Sequence, residues 1–210
     1  TSFDVVIIDE ASMVMLPALY YVAGLSSEKV IVSGDFKQLP PIVPTNEKEI
    51  KDVIGIDIFD SAGIEDKIKI GVKVSNIVML KEQYRMDSKI CNIVSNPMYE
   101  GKLVTSSNRV SNAKDIPINK LNNKITIIDT SSVNPYCNND PFNSKYNLLH
   151  ALAIRELCSQ LLSKKFVSNE SSVGVITPYA AQSKILKRLF KEEPFGNIST
   201  GTVHRFQGDE

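Results

Sequence analysis

The chain carries no excess charge, its 24 Lys and Arg matching its 24 Asp and Glu. That balance speaks against a protein whose affinity rests on coating DNA phosphates, although a local basic groove is compatible with a total of zero. Cysteine is sparse. Cys91, Cys137 and Cys158 are odd in number and far apart, which excludes a disulfide framework and a C-x-x-C metal clasp. The expectation is buried free thiols in an intracellular protein. The only histidines are His150 and His204, too few for a metal cluster or a histidine dyad. No run approaches the ~18–20 apolar residues that span a bilayer, and no signal-peptide pattern opens the chain, so no membrane partner is expected. Internal repeats and low-complexity tracts are also missing.

What is present is an ordinary globular composition over 210 residues, 42% hydrophobic and 23% charged, enough for one large domain or two small ones. Short β-branched runs at Val5–Asp9, Val30–Ser33, Ile77–Leu80, Ile125–Asp129 and Val173–Ile176, with a weaker one at Thr200–Val203, predict strands. They are near-continuous rather than alternating, as in a parallel sheet covered on both faces. Helical spacing recurs across Asn147–Lys165 and again from Gln182 to Phe190, with Pro178 placed to open the second of these helices. Strands alternating with helices predict an α/β architecture of doubly wound, parallel type. Apolar residues thin out between Thr105 and Lys124. The expected organisation is therefore a unit over 1–104, a connector over 105–124 and a second unit over 125–210. The abrupt start in a buried-type strand and the uncapped end lead us to expect a piece of a longer protein.

The chemistry sits at the strand ends. Asp9 and Glu10 close the first apolar run, where open parallel sheets place ligands. Asp9 can give a hard oxygen to Mg2+ on a triphosphate, and Glu10 can polarise a water. An acid pair simply starting a helix is the plainer reading of these two residues alone. The second strand runs into Gly34-Asp35-Phe36-Lys37-Gln38-Leu39-Pro40-Pro41. The Gln38 amide, donor and acceptor at once, suits the sensing of a terminal phosphate, and the prolines stiffen the exit. After the third run comes Gln83-Tyr84-Arg85-Met86, where the Arg85 fork can stabilise charge on a transferring phosphoryl group and Tyr84 can face a base. Arg85 pairing with Glu82 or Asp87 is the plainer alternative. The end of the chain, Gly201-Thr202-Val203-His204-Arg205-Phe206-Gln207-Gly208-Asp209-Glu210, gathers a hydroxyl, an amide and an acid around two glycines.

In this order DEAS, GDFKQLPP, QYRM, VGVITPYAAQ and TVHRFQGDE resemble the superfamily 1 helicases. The nearest subgroup holds the nonsense-mediated-decay helicase, senataxin and the immunoglobulin-mu-binding helicase. The resemblance runs from Phe3 to Glu210 and takes in the stretch Asp87–Leu103. It implies a P-loop NTPase of RecA-like fold, comprising the C-terminal part of a first RecA-like domain and most of a second. It further implies an ATP- and Mg2+-dependent motor that moves on single-stranded DNA or RNA. By matching position, Asp9 is the magnesium-associated acid, Glu10 the catalytic base, Gln38 the γ-phosphate reader and Arg85 an arginine finger. Tyr84, Gln207 and Glu210 fall at nucleotide-facing positions, and Thr177, Pro178 and Thr202 at positions that approach the nucleic-acid backbone.

Two features of that family do not occur. No G-x-x-x-x-G-K followed by Ser or Thr is found, since Gly101-Lys102 continues with Leu103 and lacks the earlier glycine. The sixth motif, with its second arginine finger, would lie past Glu210. The 210 residues by themselves are therefore expected not to hydrolyse ATP. The alternative is a non-hydrolysing nucleic-acid-binding or scaffold module that keeps the fold, against which the intact Asp9, Glu10 and Arg85 count. A motor fused to a nuclease is a third reading, on which these residues are silent.

Overall fold

The computed structural model describes residues 2–45, 47–72, 74–109, 124–133, 135–163, 173–191 and 194–207. The chain divides into two compact units, Thr1–Arg109 and Val110–Glu210. Most of the expected connector, 110–123, lies outside the described residues.

Unit one begins with β1 (Phe3–Ile8), a short 3₁₀ turn at Ala11–Met13, α1 (Leu16–Ala23) and β2 (Ser26–Val32). The β-branched Val5-Val6-Ile7-Ile8 favours an extended backbone, and Pro17 sets the first turn of α1. The helix returns the chain so that β1 and β2 pair in parallel, with Ile8 opposite Val32. Three short helices follow, α2 (Lys48–Ile54), α3 (Ile58–Ser61) and α4 (Ile64–Lys69). The unit ends with β3 (Glu82–Gln83), α5 (Ser88–Tyr99) and β4 (Val104–Thr105), and β3 pairs β4 in parallel.

The core of this unit is Ile8, Ala11 and Leu19, with Val6, Val14, Ile58 and Phe59 packed around it. Only one face of the β1–β2 pair is covered by described residues. Val5 and Ile7 alternate with Ile8 and face outward, Ile7 being 68% exposed. Among the described residues of this unit, the expected covering of both faces is therefore not seen.

Unit two contains a 3₁₀ turn at Ser131–Val133, the hairpin-like pair β5 (Asn138–Asn139) and β6 (Lys145–Tyr146), and α6 (Leu148–Ser163). β7 (Val173–Thr177), α7 (Ala180–Leu189), β8 (Ile198–Thr202) and α8 (Val203–Phe206) complete it. β7 and β8 pair in parallel. Ala151 and Cys158 from α6, Val175, Leu186, Phe190 and Phe195 form the core, the two phenylalanine rings meeting at 5.1 Å between centroids. The Gln182 side chain welds α7 to the start of α6. The Asn147 N–H donates to Gln182 Oε1 (2.8 Å), and Gln182 Nε2 donates to the Asn147 carbonyl (3.2 Å). Both residues are buried, and these bonds satisfy the groups that make them.

The mixed α/β fold with parallel strand pairs flanked by helices is the one the sequence predicts. Three details differ. Ile77–Leu80 and Ile125–Asp129 are not strands. Val78, Leu80 and Ile127 are among the most exposed apolar residues, and no described strand lies alongside to take up their backbone groups. Pro178 precedes α7 rather than opening it, since Tyr179 stands at the helix boundary with extended backbone. Cys91 and Cys158 are buried free thiols as expected, but Cys137 is exposed because it sits at the surface pair β5–β6. No helix among the described residues is long and apolar enough to cross a membrane.

Candidate functional site

In unit one the candidate residues stand at the C-terminal ends of paired parallel strands. The chain leaves β1 at Asp9 and β2 at Ser33, and two backbone bonds hold these exits together. The Ser33 N–H donates to the Ile8 carbonyl (2.8 Å) and the Ala11 N–H to the Ser33 carbonyl (2.9 Å). Gly34 then passes so close to the acid turn that a Cβ there would lie 3.0 Å from the Ala11 nitrogen and 3.1 Å from the Ser12 nitrogen. The acid pair and the Gly34–Gln38 turn are therefore one packed body.

Within the pair the two acids differ. Asp9 Oδ1 accepts the Glu10 N–H at 3.0 Å, while Oδ2 takes no hydrogen bond among the described residues. Glu10 has left-handed backbone, φ 51° and ψ 36°, a conformation that disfavours a residue with a Cβ. The other non-glycine residues of positive φ among the described residues are Glu100, which ends α5, and Asn143, in a surface turn. Glu10 ends no helix. Its side chain is exposed and makes no hydrogen bond among the described residues. Strain of this kind is kept where a side chain must point in one direction. Glu10→Gly is accordingly expected to raise unfolding stability by up to about 1 kcal/mol, read as a higher urea midpoint. An unchanged or lower midpoint would show that the left-handed turn carries no strain.

The Gly34–Leu39 turn is gripped by three consecutive side chains. Asp35 Oδ2 accepts from the Tyr99 hydroxyl at the end of α5 (2.5 Å) and from Gln38 Nε2 (2.9 Å), while Oδ1 accepts the Lys37 N–H (3.0 Å). Phe36 packs on Phe59 of α3 at 5.9 Å between ring centroids. Lys37 Nζ donates to Glu65 of α4 at 2.5 Å, and Lys69 lies 3.2 Å from the same carboxylate. The two lysine hydrogen bonds hold the Glu65 carboxyl below its usual range. Burial, then the Asp35 carboxylate, push the Tyr99 phenol well above its ordinary range. Gln38 itself is exposed.

The Tyr84–Arg85 turn is built by Gln83, a residue to which the sequence reading gives no role. Its Nε2 donates to the Met86 carbonyl (2.9 Å) and to Thr105 Oγ1 (2.6 Å), and its Oε1 accepts the Met86 N–H (2.6 Å). One amide thus closes the turn and pins it to β4, leaving Tyr84 and Arg85 exposed. Arg109 Nε donates to the Arg85 carbonyl at 3.0 Å. Asp87 caps α5 directly afterwards by accepting the Lys89 N–H. A glutamine opening a tight turn before a capped helix is the one sequence signal that marks Gln83.

In unit two Thr177 and Thr202 are register partners at the ends of β7 and β8, with Pro178 next to them. Thr177 is buried and its hydroxyl accepts the Tyr179 N–H at 3.4 Å. Thr202 precedes α8 and makes no side-chain cap bond. Both amide atoms of Gln207 are buried without a hydrogen-bond partner among the described residues, an arrangement native proteins keep rare. Glu210 lies outside the described residues. A Cβ on Gly201 would come within 2.8 Å of the Phe206 ring, so α8 rests directly on β8 at that point. His150 bonds Thr130 Oγ1 at 2.8 Å, and His204 is exposed.

The donor set bears on Mg2+. No group of at least three His, Cys, Asp or Glu converges among the described residues, so they form no all-protein cage. A single exposed carboxylate oxygen on Asp9 fits an ion that keeps waters and phosphate oxygens as most of its shell, which is the habit of Mg2+.

Acids and a glutamine thus stand at the carboxyl ends of parallel strands, where open α/β sheets place ligands. A family model described as an AAA domain matches residues 65–210, well over half of the chain, and a second of the same description matches residues 1–46. The chain belongs to this AAA-domain family of superfamily 1 helicases. It is similar to the DNA polymerase alpha-associated DNA helicase A of Saccharomyces cerevisiae, 34% identical over 228 residues, covering 99% of this chain and 32% of the relative. An uncharacterized ATP-dependent helicase of Methanocaldococcus jannaschii is 32% identical over 219 residues, covering 99% of this chain and 30% of the relative. The human DNA replication ATP-dependent helicase/nuclease DNA2 is 28% identical over 232 residues, covering 98% and 20%. The chain spans about a third or less of the length of these relatives.

Proposed function

We propose that this chain is part of the motor core of an ATP-dependent helicase or translocase that works on single-stranded DNA or RNA. The observation that carries the reading is the welding of the Asp9–Glu10 turn to the Gly34–Gln38 turn through Ser33, Gly34 and Ala11. That contact holds the Asp9 and Glu10 carboxylates and the Gln38 turn on one strand-end edge, which supports the reading. Unit one is read as the C-terminal part of a first RecA-like domain and unit two as most of a second.

Bound Mg2+-ATP supplies a polarised γ-phosphoryl group whose transfer to water releases the free energy for movement. The protein's own side chains divide the remaining work. Asp9 Oδ2 would hold the ion directly or through water. The Glu10 carboxylate accepts the proton of the attacking water. Gln38 orients groups at the terminal phosphate, and the Arg85 guanidinium neutralises charge that develops there. In unit one Tyr84 is read as offering a ring face to the base. In unit two Gln207 and Glu210 are read, by resemblance, as nucleotide-facing residues. Thr177, Pro178 and Thr202 approach the nucleic-acid backbone at the β7–β8 edge, Thr202 with its hydroxyl available. Free thiols accord with a place inside the cell.

The test is ATP hydrolysis by the full-length protein with and without single-stranded DNA and, separately, single-stranded RNA. The expected result is stimulation of turnover by at least one of the two. A rate that neither polymer changes removes the motor reading.

A further inference from the structure

Asp35 is a carboxylate whose acceptor capacity is committed on both oxygens, to the Lys37 N–H, to the Tyr99 hydroxyl and to Gln38. An ionised carboxylate accepts and cannot donate. The Gln38 amide must therefore turn its nitrogen toward Asp35, which leaves its carbonyl oxygen and its second N–H facing away. The rest of Gln38 does not fix that choice, since its main-chain N–H bonds the Asp35 carbonyl at 3.0 Å and its side chain is exposed.

The third member of this chain of bonds comes from 64 residues away in sequence. Tyr99 is the last residue of α5, a helix of 12 residues, roughly 18 Å long at ~1.5 Å per residue. α5 is braced along its length. Cys91 and Ser95 are buried, and the Ser95 hydroxyl donates to the Leu103 carbonyl at 2.7 Å beside β4. Its N-terminal cap, Asp87, follows directly on the Tyr84–Arg85–Met86 turn. One helix, with Pro97 in its last turn, thus has the arginine-bearing turn at one end and the support of the Gln38 amide at the other.

We propose that Tyr99 is a positioning residue for Gln38: its phenol holds the Asp35 carboxylate, and Asp35 holds the amide nitrogen, so that Gln38 presents its carbonyl oxygen to the reacting water. The inference deepens the motor reading and rests on it for the identity of that water. It assigns a role in the reaction to a side chain outside the acid, glutamine and arginine positions. It also makes α5 the element that ties the placement of Gln38 to that of the Arg85 turn.

Two measurements test it. In the full-length protein Tyr99→Phe, which keeps the ring and removes one hydroxyl, is expected to lower kcat for ATP about tenfold with KM nearly unchanged. In a Gln38→Ala background the same substitution is expected to cost nothing further in kcat. Loosened packing would instead add its loss on top of Gln38→Ala, and that outcome overturns the proposal. The second measurement does not depend on turnover. In the 210-residue chain labelled with nitrogen-15, Tyr99→Phe and Asp35→Asn are each expected to shift the Gln38 side-chain amide resonances. Asp35→Asn should also bring the Tyr99 phenol back toward its ordinary titration range. Unmoved Gln38 resonances in both variants overturn the clamp whatever the kinetics show. Should wild-type protein lack any turnover that Glu10→Gln removes, the motor reading fails, and the amide spectrum still decides whether Tyr99 positions Gln38.

Discussion

Glu10→Gln in the full-length protein is expected to cut nucleic-acid-stimulated ATP turnover by roughly 10²–10⁴-fold, the usual worth of a positioned general base. The substitution preserves shape and size while removing the negative charge and, with it, the proton affinity. KM for ATP should change little, because binding rests on other groups, and the urea midpoint of the 210-residue chain should stay where it is, since the Glu10 side chain makes no hydrogen bond among the described residues. The combination of lost kcat, retained KM and retained stability separates a missing base from a damaged fold. Turnover by the Glu10→Gln variant as fast as that of wild type would mean that the water gives up its proton elsewhere.

Gly34→Ala is expected to cost about 1–3 kcal/mol of unfolding free energy, the range for forcing a methyl into a packed site. The added Cβ would lie 3.0 Å from the Ala11 nitrogen and from the Phe59 ring, and 3.1 Å from the Ser12 nitrogen. Two of these neighbours are main chain, so relief requires the acid turn itself to move. Turnover in the full-length protein should therefore fall at least about tenfold along with stability, as expected when reacting groups shift by a fraction of an ångström. Gly24→Ala is the matched control. Its Cβ would meet only the Tyr20 and Tyr21 carbonyls at 3.4 Å, an ordinary contact. Urea unfolding of both variants checks the contrast, and equal midpoints would mean that the two turns are not packed as described.

The paired strands were legible in the sequence because β-branched runs such as Val5–Ile8 and Val173–Ile176 encode an extended backbone locally. The same signal misled at Ile77–Leu80 and Ile125–Asp129. An apolar run reports a wish for burial, whereas a strand also needs a neighbour to bond, and composition carries no information about that neighbour. The site was legible to the extent that its chemistry lies in short segments, as with Asp9–Glu10 or Gly34–Gln38. What joins those segments was not. Tyr99 reaches Asp35 across most of unit one, Gln83 works through a strand more than twenty residues on, and the left-handed turn at Glu10 leaves no mark in residue type. Each depends on how distant parts of the chain are brought together, which spacing alone does not specify.

The main chain between Asp9 and Glu10 has a consequence for how neighbouring acids share labour. Asp9 has one oxygen engaged by the next amide, which anchors its carboxylate and leaves the other oxygen as its open acceptor. Glu10, turned outward by its left-handed backbone and bonded to nothing among the described residues, keeps both carboxylate oxygens open. Exchanging the order of the two would put the shorter side chain on the outward position and the longer one on the anchored position. Chemically equivalent groups are thereby made inequivalent by torsion angles rather than by their surroundings.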